Sequence, residues 1–369
     1  MSVIVVAPDS FKGSAAAVEV AEALAEGWRS VRPQDRVVLA PMADGGEGTL
    51  AAFGAAVPGA VRHPVRVLGP AGASVVANWL ELPGGRALIE LAETSGLGLM
   101  PSLAPFDAHT VGFGEAIAAA LDHGATELLL AIGGSASTDG GAGALAALGA
   151  RLLAADGREV PYGNRGLSAL DRVDVSGLRP LPPGGARILS DVTAPLLGPA
   201  GAAAVFGLQK GAGPQDIPVL EAGLDRLATA LREVGLPVDV NASGVGAAGG
   251  TGLALLAWGA RMAPGADAVG EAIGLPGTIA QADAVITGEG RYDQQSRSGK
   301  VPSYVARLAA EQHVPVLLAA GSVEATTEHF ADAVALSDLA GDTSAAIADP
   351  HRWAAAAGAA LAGRFAARW

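Results

Sequence analysis

The sequence has 369 residues, half of them hydrophobic and 17% charged, which predicts a globular protein of two or three domains and excludes a disordered chain. Its formal net charge of −13 is opposite in sign to the basic surface of nucleic-acid-binding proteins, so we expect no nucleic-acid partner. Because the sequence contains no cysteine, disulfide bonds and thiolate chemistry are excluded.

We also expect no membrane partner. Gly, Pro or a charged residue interrupts every apolar stretch before it reaches the roughly twenty residues of a spanning helix. The first apolar run, Val3–Ala7, is shorter than the core of a signal peptide and follows no basic segment. These features predict a cytoplasmic protein, which could be a monomer or a homodimer.

A short apolar strand, a polar Gly-containing loop and an Ala-rich helix recur along the chain. Strands are predicted at Val3–Ala7, Val37–Ala40, Leu128–Ile132, Ala284–Thr287, Val314–Ala319 and Ala333–Leu336. Helices are predicted over residues 14–30, from Thr49, through Leu153 and from Val301. This alternation predicts a parallel sheet covered by helices, with the polar loops and the functional site at the carboxyl ends of the strands.

The middle of the chain is less regular. Pro64–Leu82 and Arg86–Leu91 predict an antiparallel pair, and residues 219–234 predict a helix. We infer that a second domain, residues 61–278, is inserted into a first domain formed by residues 1–60 and 279–369; residues 105–150 could belong to either. Four apolar residues near the C-terminal end have helical spacing and predict a packing stripe: Trp353, Leu361, Phe365 and Trp369.

The lysines are few, and their positions are informative. The chain has 24 Lys and Arg residues together, of which three are lysines, each beside a glycine: Lys12, Lys210 and Lys300. A lysine acts on phosphate as a compact point charge, and glycine allows the backbone to approach an anion closely. We therefore interpret these positions as anion-binding loops, although the general scarcity of lysine is explained by a compositional preference for Arg.

Acidic residues occupy short loops after the predicted strands: Asp9, Asp44, Glu47, Asp191, Glu289 and Asp293. Carboxylates in such loops can hold Mg²⁺ together with substrate phosphates, or can accept a proton from a hydroxyl. Each residue taken singly could equally be a turn or helix-capping residue. Their predicted convergence on one sheet edge favours a functional site.

The segment GGSASTDGGAG, Gly133–Gly143, follows a predicted strand and precedes a predicted helix. Its backbone amides could bind phosphate at the helix N-terminus, with added hydroxyl donors from Ser135, Ser137 and Thr138. The structural alternative is a tight turn with Thr138 or Asp139 as the N-cap. The segment does not match the P-loop pattern.

Gly244–Gly249 matches the G-x-G-x-x-G pattern of dinucleotide-binding proteins, and Asp267 lies at a plausible distance for a ribose-binding acid. However, the preceding residues 237–242 are a poor strand, so close helix packing is the favoured interpretation. The six histidines show no paired metal-ligand spacing and are interpreted as surface or packing residues.

Six motifs together resemble the bacterial type I glycerate kinase family (glycerate 2-kinase). They are APDSFKGS (7–14), ADGGEGT (43–49), GGSASTDGGAGALAALGA (133–150), SDVTAPLLGPAGAAAVFGLQKGA (190–212), GAAGGTG (246–252) and ITGEGRYDQQSRSGKVP (286–302). The resemblance implies an α/β enzyme with one Rossmann-like parallel-sheet domain and a second, inserted α/β domain. It also implies phosphorylation of D-glycerate by ATP with Mg²⁺, usually at the 2-hydroxyl to give 2-phosphoglycerate.

Phosphoryl transfer requires a phosphate cradle, metal ligands, a carboxylate near the acceptor hydroxyl and cations. We assign ATP to Gly133, Gly134, Ser135, Ser137, Thr138 and Lys210. Asp44 or Asp191 deprotonates the acceptor hydroxyl while the other helps to hold Mg²⁺, for which Glu47 and Asp293 are further candidates. Lys12, Arg291 and Lys300 bind the substrate carboxylate and the moving phosphoryl group. Asp9 and Ser10 are further candidates for substrate binding.

We expect this site in a cleft between the two domains, whose closure would exclude water. Two other functions stay open at this point: an NAD(P)-linked oxidoreductase based on Gly244–Gly249, and a non-catalytic binding protein for a small anion.

Overall fold

The computed structural model describes residues 1–294, 296 and 300–368. Four residues of the motif at 287–300, namely 295 and 297–299, therefore lie outside the described residues, as does Trp369 of the predicted packing stripe. The chain forms two compact units. The first contains Met1–Asp44, Ala51–Pro58 and the chain from Pro264 onward, and the second contains Gly45–Leu50 and Gly59–Ala263.

The strands of the described residues are, in chain order, β1 (Val3–Pro8), β2 (Arg36–Leu39), β3 (Val61–Leu68), β4 (Ser74–Leu82), β5 (Arg86–Glu90), β6 (Glu127–Ala131), β7 (Arg151–Leu153), β8 (Arg172–Asp174), β9 (Ala186–Leu189), β10 (Arg261–Ala263), β11 (Ala284–Gly288), β12 (Arg291–Tyr292), β13 (Val316–Ala320), β14 (Ser322–Val323) and β15 (Asp332–Ala335).

The α-helices are α1 (Ala17–Val31), α2 (Thr49–Ala56), α3 (Leu91–Ser95), α4 (Val111–Asp122), α5 (Ala142–Ala147), α6 (Asn164–Leu167), α7 (Ala202–Phe206), α8 (Ile217–Glu233), α9 (Ala247–Trp258), α10 (Gly265–Ala272), α11 (Leu275–Ile279), α12 (Val301–Glu311), α13 (Leu336–Ala340), α14 (Thr343–Ala348) and α15 (Pro350–Arg368). No helix of the described residues is long and apolar enough to cross a membrane.

The first unit contains a five-stranded parallel sheet with the order β15-β13-β11-β1-β2. Strands from the two ends of the sequence therefore pair directly, and Val5 of β1 lies between Val285 of β11 and Val38 of β2. Val5 and Val285 are fully buried, as expected for strands that helices cover on both faces. The predicted α/β class is confirmed.

Helices α1 and α15 pack together on this sheet. The Trp28 and Phe365 rings lie 5.4 Å apart, and Leu361 is buried in the same apolar cluster. Gly27 permits the close approach, because a Cβ there would lie 1.8 Å from the carbonyl oxygen of Ala355. The C-terminal helix is thus a packing element, as its apolar spacing predicted.

The second unit contains a six-stranded mixed sheet with the order β10-β9-β6-β5-β4-β3. Strands β5, β6, β9 and β10 are parallel, whereas β3 and β4 are antiparallel additions at one edge. The predicted antiparallel pair is confirmed, but residues 64–82 form parts of two strands rather than one. A turn separates them, in which the backbone N–H of Gly69 donates to the carbonyl of Ala73.

One helix prediction is wrong. The helix expected to continue through Leu153 ends at Ala147, and Arg151–Leu153 is strand β7, paired antiparallel with β8. The chain turns at Gly149, whose φ of +104° is a left-handed conformation that favours glycine. A Cβ at this position would also lie 2.2 Å from the carbonyl oxygen of Gly177.

The division between units also differs from the expected boundary at residue 278. Helices α10 and α11 belong to the first unit because they pack against α12, where Gly270 provides space for the Tyr304 ring. Residues 105–150, which the sequence left unassigned, belong to the second unit.

Candidate active site

Polar loops at the carboxyl ends of β1, β11 and β13 surround a cavity of about 430 Å³ in the first unit. The residues that line it include Asp9, Ser10, Lys12, Glu289, Arg291, Asp293, Lys300 and Ser322. The structure therefore brings together six residues that the sequence predicted for substrate, metal or catalysis, namely Asp9, Ser10, Lys12, Arg291, Asp293 and Lys300. Asp44, after β2, adjoins them through Lys12.

Glycines allow these loops to pack closely. A Cβ at Gly288 would lie 1.8 Å from the carbonyl oxygen of Ala319, and one at Gly321 would lie 2.2 Å from that of Gly290. At Gly290 a Cβ would lie 3.2 Å from the Cα of Phe11. The glycines of the G-E-G motif are thus required by contacts between neighbouring loops, which place Glu289 and Arg291 beside the loop after β1.

Three cations in or beside the cavity are each held by a carboxylate. Lys12 Nζ lies 3.1 Å from Asp44 Oδ2, and Arg291 Nη2 lies 3.1 Å from Asp293 Oδ2. Lys300, the N-cap of α12, has its Nζ 3.7 Å from Glu289 Oε2. Because Lys12 and Arg291 are each 63% exposed at the side chain, both can reach an added anion.

Asp9 is a buried acid of the cavity with a raised pKa. Its side chain is buried, and the backbone N–H of Ser10 donates to its Oδ1 at 2.7 Å. Burial and then the neighbouring Asp44 raise the pKa of Asp9 from 3.8 to about 7, against the opposing effect of Lys12. An acid with this pKa can exchange a proton near neutral pH.

Burial by itself lowers the pKa of Lys12, but the carboxylates of Asp44 and Asp9 outweigh this effect and raise it. Lys12 therefore stays protonated at neutral pH. The local charge of the cavity is set by these pairs rather than by the net charge of the chain.

Glu289 is a feature of the cavity that fits a cation. Burial raises its pKa, and the Ser296 hydroxyl and Lys300 act against that rise. The carboxylate is buried, and its Oε1 has no hydrogen-bond partner among the described residues. Together with Asp293, it offers the oxygen ligands that Mg²⁺ prefers.

The loop Gly133–Gly143 follows β6 and belongs to the second unit, as does Asp191 after β9. The prediction that all of the polar loops share one sheet edge is therefore wrong, because β6 and β9 belong to the six-stranded sheet. The apolar sequences of β6 and β9 did not indicate which of the two sheets these strands join.

In the second unit, the loop Gly45–Gly48 packs against the start of the β6 loop. The N–H of Gly133 donates to the carbonyl of Gly45 at 3.1 Å, and a Cβ at Gly133 would lie 2.5 Å from the Cα of Gly46. A Cβ at Gly45 would lie 2.3 Å from the carbonyl oxygen of Leu189, at the end of β9. This places exposed Glu47 and half-buried Asp191 on loops that flank Gly133 and Gly134.

The hydroxyls predicted to bind phosphate are buried. Ser135, Ser137 and Thr138 have at most 6% exposure, whereas Gly133 is half-buried and Gly134 is exposed. The Ser137 Oγ and Thr138 Oγ1 atoms have no hydrogen-bond partner among the described residues. Of the assigned loop, the glycine backbone is the part that a ligand can reach in this structure.

Lys210 lies beneath the same loop and is fully buried. Its Nζ donates to Ser135 Oγ at 2.7 Å and to the carbonyl oxygen of Ser137. Burial lowers the pKa of Lys210 from 10.5 to about 7, although Asp139 opposes the change. In this structure the Lys210 ammonium holds the loop from below, and direct contact of Lys210 with phosphate stays a prediction from the sequence.

Asp139 stabilises the tight turn that the sequence left open as an alternative, but the N-cap of α5 is Gly141 and not Asp139 or Thr138. Its Oδ2 accepts hydrogen bonds from the N–H and hydroxyl of Thr110 and from the N–H of Gly143, and its Oδ1 accepts one from the N–H of Gly141. Asp139 therefore fixes the turn that leads into α5.

Glu90 is a residue that the sequence did not single out. It is buried at the end of β5, and its two oxygens accept the N–H groups of Gly48 and Leu50 at 2.9 and 2.7 Å. Burial raises its pKa to about 7. Its position directly after an apolar strand, the same signal that identified Asp9, could have found it.

The dinucleotide interpretation of Gly244–Gly249 is not supported by the structure. No strand precedes this segment within residues 237–246, all of which the structure describes. Gly249 has φ +67°, and a Cβ there would lie 2.0 Å from the carbonyl oxygen of Ser137. Asp267, the candidate ribose ligand, is bound to Arg307 at 2.6 Å.

Comparison with known proteins agrees with this architecture. The model of the glycerate kinase family matches residues 4–366. The glycerate 2-kinase of Escherichia coli (strain K12) is 45% identical over 341 residues, covering 90% of this chain and 89% of that protein. The glycerate kinase of Bacillus subtilis (strain 168) is 43% identical, with 90% and 89% covered.

A solved structure has the same fold. The crystal structure of a Salmonella typhimurium LT2 protein assigned as glycerate kinase 2 superposes with a TM-score of 0.84 at 39% identity, covering 99% of this chain and 98% of that one.

The parallel sheet, with a charged cavity at the carboxyl ends of its strands, defines an α/β protein of the class that the sequence predicted. The chain belongs to the glycerate kinase family, and the predicted kinase class is confirmed.

Proposed function

We propose that this enzyme transfers the γ-phosphoryl group of ATP to the 2-hydroxyl of D-glycerate, giving 2-phosphoglycerate and ADP. The observation that carries the proposal is the cavity of the first unit, where Lys12, Arg291 and Lys300 accompany a buried acid whose pKa is near 7. The name of the Escherichia coli relative, glycerate 2-kinase, supports the position of transfer.

The three cations suit the two anionic groups of the reaction. One or two of them bind the carboxylate of glycerate, and the remainder stabilise the charge that develops on the moving phosphoryl group. Each cation already faces a carboxylate, which holds it in position before a substrate binds.

A carboxylate must accept the proton of the hydroxyl that attacks phosphorus. The sequence assigned this role to Asp44 or Asp191, and the structure adds Asp9 as a candidate. Asp9 lines the cavity with a pKa of about 7, which favours general-base catalysis at neutral pH. Asp44 is bound to Lys12, so in this proposal it holds that cation and tunes Asp9.

Mg²⁺, when bound, would neutralise phosphate charge during transfer. Asp293 and Glu289 of the first unit provide suitable oxygens, and Asp191 and Glu47 of the second unit stay candidates from the sequence. For ATP, we propose the backbone of Gly133 and Gly134, with Lys210 acting through the loop that it supports. Participation of both units in one reaction stays a prediction from the sequence.

The decisive experiment couples the reaction to enolase and pyruvate kinase without phosphoglycerate mutase. An immediate signal identifies 2-phosphoglycerate, whereas a signal that requires added mutase identifies the 3-phosphate and would overturn the proposed position. ATP turnover that does not depend on glycerate would overturn glycerate as the acceptor. No turnover with all components present would overturn the proposed reaction and favour a non-catalytic anion-binding protein.

A further inference from the structure

Two histidines and a glutamate meet on the second unit, in a cluster that the sequence did not predict. His63 Nε2 lies 2.8 Å from Glu81 Oε2, and His123 Nε2 lies 3.5 Å from the same oxygen. One ligand atom from each residue lies within 4.8 Å of the others. His63 and His123 are surface residues that pack against each other and Trp79, as the sequence predicted, and Glu81 beside them adds a ligand that the sequence did not indicate.

Strand pairing explains why they meet. His63 of β3 is directly opposite Trp79 of β4, and Glu81 is two residues beyond Trp79, so these side chains share one face of the sheet. His123 ends α4, which packs on β3 and β4. The two histidines are sixty residues apart in sequence, so no short spacing motif could have found them.

The imidazole rings are held in place rather than freely rotating. His63 stacks on Trp79 with 4.3 Å between ring centroids and 13° between planes. The His123 ring lies 4.5 Å from that of His63 and 5.3 Å from that of Trp79. Trp79 is itself buried, with 3% exposure, and therefore forms a rigid base for both rings. Ligand side chains that are already held in place lower the entropic cost of binding a metal ion.

The chemistry of this ligand set selects a transition metal. Imidazole nitrogens suit Zn²⁺, Cu²⁺ and Ni²⁺, whereas Mg²⁺ prefers oxygen ligands. Zn²⁺ takes nitrogen and carboxylate oxygen at about 2.0–2.2 Å, which separates its ligand atoms by roughly 3.3 Å in tetrahedral geometry. The 3.5 Å between His123 Nε2 and Glu81 Oε2 is close to that value, and the 2.8 Å between His63 Nε2 and Glu81 Oε2 is a hydrogen bond that a bound ion would replace.

The electrostatic setting also favours a cation. His123 is the C-cap of α4, a helix of 12 residues whose C-terminal carbonyls carry partial negative charge. The side chain of the neighbouring Asp122 is bound to Arg179, so this acid does not compete for the metal. Side-chain exposures of 25% for His63, 41% for Glu81 and 51% for His123 leave an open coordination position.

We propose that His63, Glu81 and His123 form a binding site for one Zn²⁺ ion. The bound ion replaces the proton that His63 shares with Glu81, and it joins β3, β4 and the end of α4. Because the ion binds the folded chain and not the separated residues of the unfolded chain, it stabilises the second unit. None of these three residues takes part in the proposed catalytic reaction. A test of Zn²⁺ binding is therefore independent of the proposed function.

The test is equilibrium dialysis of the full chain against Zn²⁺ in a large excess of Mg²⁺, followed by metal analysis. We expect one retained Zn²⁺ per chain, loss of that equivalent in His63→Gln and in His123→Gln, and a Zn²⁺-dependent rise in Tm that both variants lack. Far-UV circular dichroism of the metal-free variants checks that they are folded.

His351→Gln is the matched control. His351 Nε2 lies 3.8 Å from Glu26 Oε2, a histidine–glutamate pair for which the structure shows no second histidine among the described residues. This variant should retain the Zn²⁺ equivalent. Zn²⁺ retention equal in wild type and a folded His63→Gln/His123→Gln double variant, or complete displacement by Mg²⁺, would overturn the proposal.

Discussion

The Lys12 ammonium lies 3.1 Å from the Asp44 carboxylate, so the loops after β1 and β2 are joined by an ion pair at the carboxyl edge of the parallel sheet. The same lysine lowers the pKa of Asp9, whereas Asp44 raises it. Lys12 therefore contributes one of the three cations that line the cavity, holds Asp44 in position and affects the protonation of Asp9.

Replacement of Lys12 should reduce activity strongly without unfolding the protein. Lys12→Gln removes a cation from the cavity, and loss of one charge-stabilising donor typically costs about 100-fold or more in kcat. It also removes the group that favours ionised Asp9, so the acidic limb of the kcat/KM profile should move to higher pH. Steady-state kinetics from pH 6 to 9 measure both effects. Lys12→Arg, which keeps the charge, should lose less; equal losses in the two variants would contradict a charge-based role.

Asp44→Asn and Asp191→Asn should separate metal binding from base catalysis. A variant that has lost a metal ligand requires more Mg²⁺ but regains rate when Mg²⁺ is saturating, whereas a variant that has lost the base stays slow. Activity measured over a wide Mg²⁺ range distinguishes the two behaviours. If both variants keep full activity, the base lies elsewhere, and Asp9 becomes the principal candidate.

Lys300→Ala should lower turnover by about 100-fold with the fold intact, because it removes a cation beside the reacting groups. It also leaves buried Glu289 without its cationic neighbour at 3.7 Å. The double variant Lys300→Ala/Glu289→Gln should restore any lost stability but not activity, and chemical denaturation with steady-state kinetics separates these results. Arg307→Ala, which alters an exposed pair with Asp267, is the control. Near-normal turnover in Lys300→Ala would reduce this residue to a structural role.

The parallel sheet and the cavity at its edge were predictable because short apolar strands followed by polar loops reflect burial on both faces. That rule placed Asp9, Arg291 and Asp293 at this edge, and Lys12 and Lys300 were also singled out by the glycine beside each of them. The assignment of β6 and β9 to a second sheet was not predictable in the same way, because an apolar strand carries no information about which neighbours it pairs with.

Burial of individual polar groups was the other property that the pattern did not reveal. Lys210 adjoins a glycine as Lys12 does, yet one ammonium is sealed beneath a loop and the other is mostly exposed. The difference depends on long-range packing, such as the approach of Gly249 to Ser137. The meeting of His63, Glu81 and His123 likewise depends on long-range packing, through the register of β3 with β4 and the packing of α4 on β3.

The pH dependence of stability should show a destabilising contribution from Asp9. The pKa of Asp9 is about 7 in the folded protein and 3.8 for an unperturbed aspartate. Between pH 3.8 and pH 7 the folded state therefore binds the proton more tightly than the unfolded state does. Stability from this group is therefore present below about pH 4 and is lost as pH rises to about 7. A shift of about three pKa units corresponds to roughly 4 kcal/mol as an upper limit.

Asp9→Asn removes this contribution, since the amide cannot ionise but can still accept the N–H of Ser10. We expect its free energy of unfolding to exceed that of wild type by a few kcal/mol at pH 8 and to converge with it near pH 4, while activity falls. Urea denaturation at several pH values measures the difference. A gap between the two proteins that is constant with pH would contradict the raised pKa.

Gly249→Ala should destabilise the loop above Lys210 by far more than the strain of a left-handed backbone conformation would account for. Gly249 has φ +67°, and an added Cβ would lie 2.0 Å from the carbonyl oxygen of Ser137 and 2.7 Å from Lys210 Nζ. Gly235 has φ +83° with no atom within 4 Å of its Cβ position, so Gly235→Ala isolates the backbone cost of about 1–2 kcal/mol. We expect Gly249→Ala to lose clearly more stability and to raise the KM for ATP, while Gly235→Ala keeps its KM. Equal losses of stability and unchanged KM values in both variants would mean that the close contacts of Gly249 with Ser137 and Lys210 do not shape the loop Gly133–Gly143, because Gly235 has no such contacts.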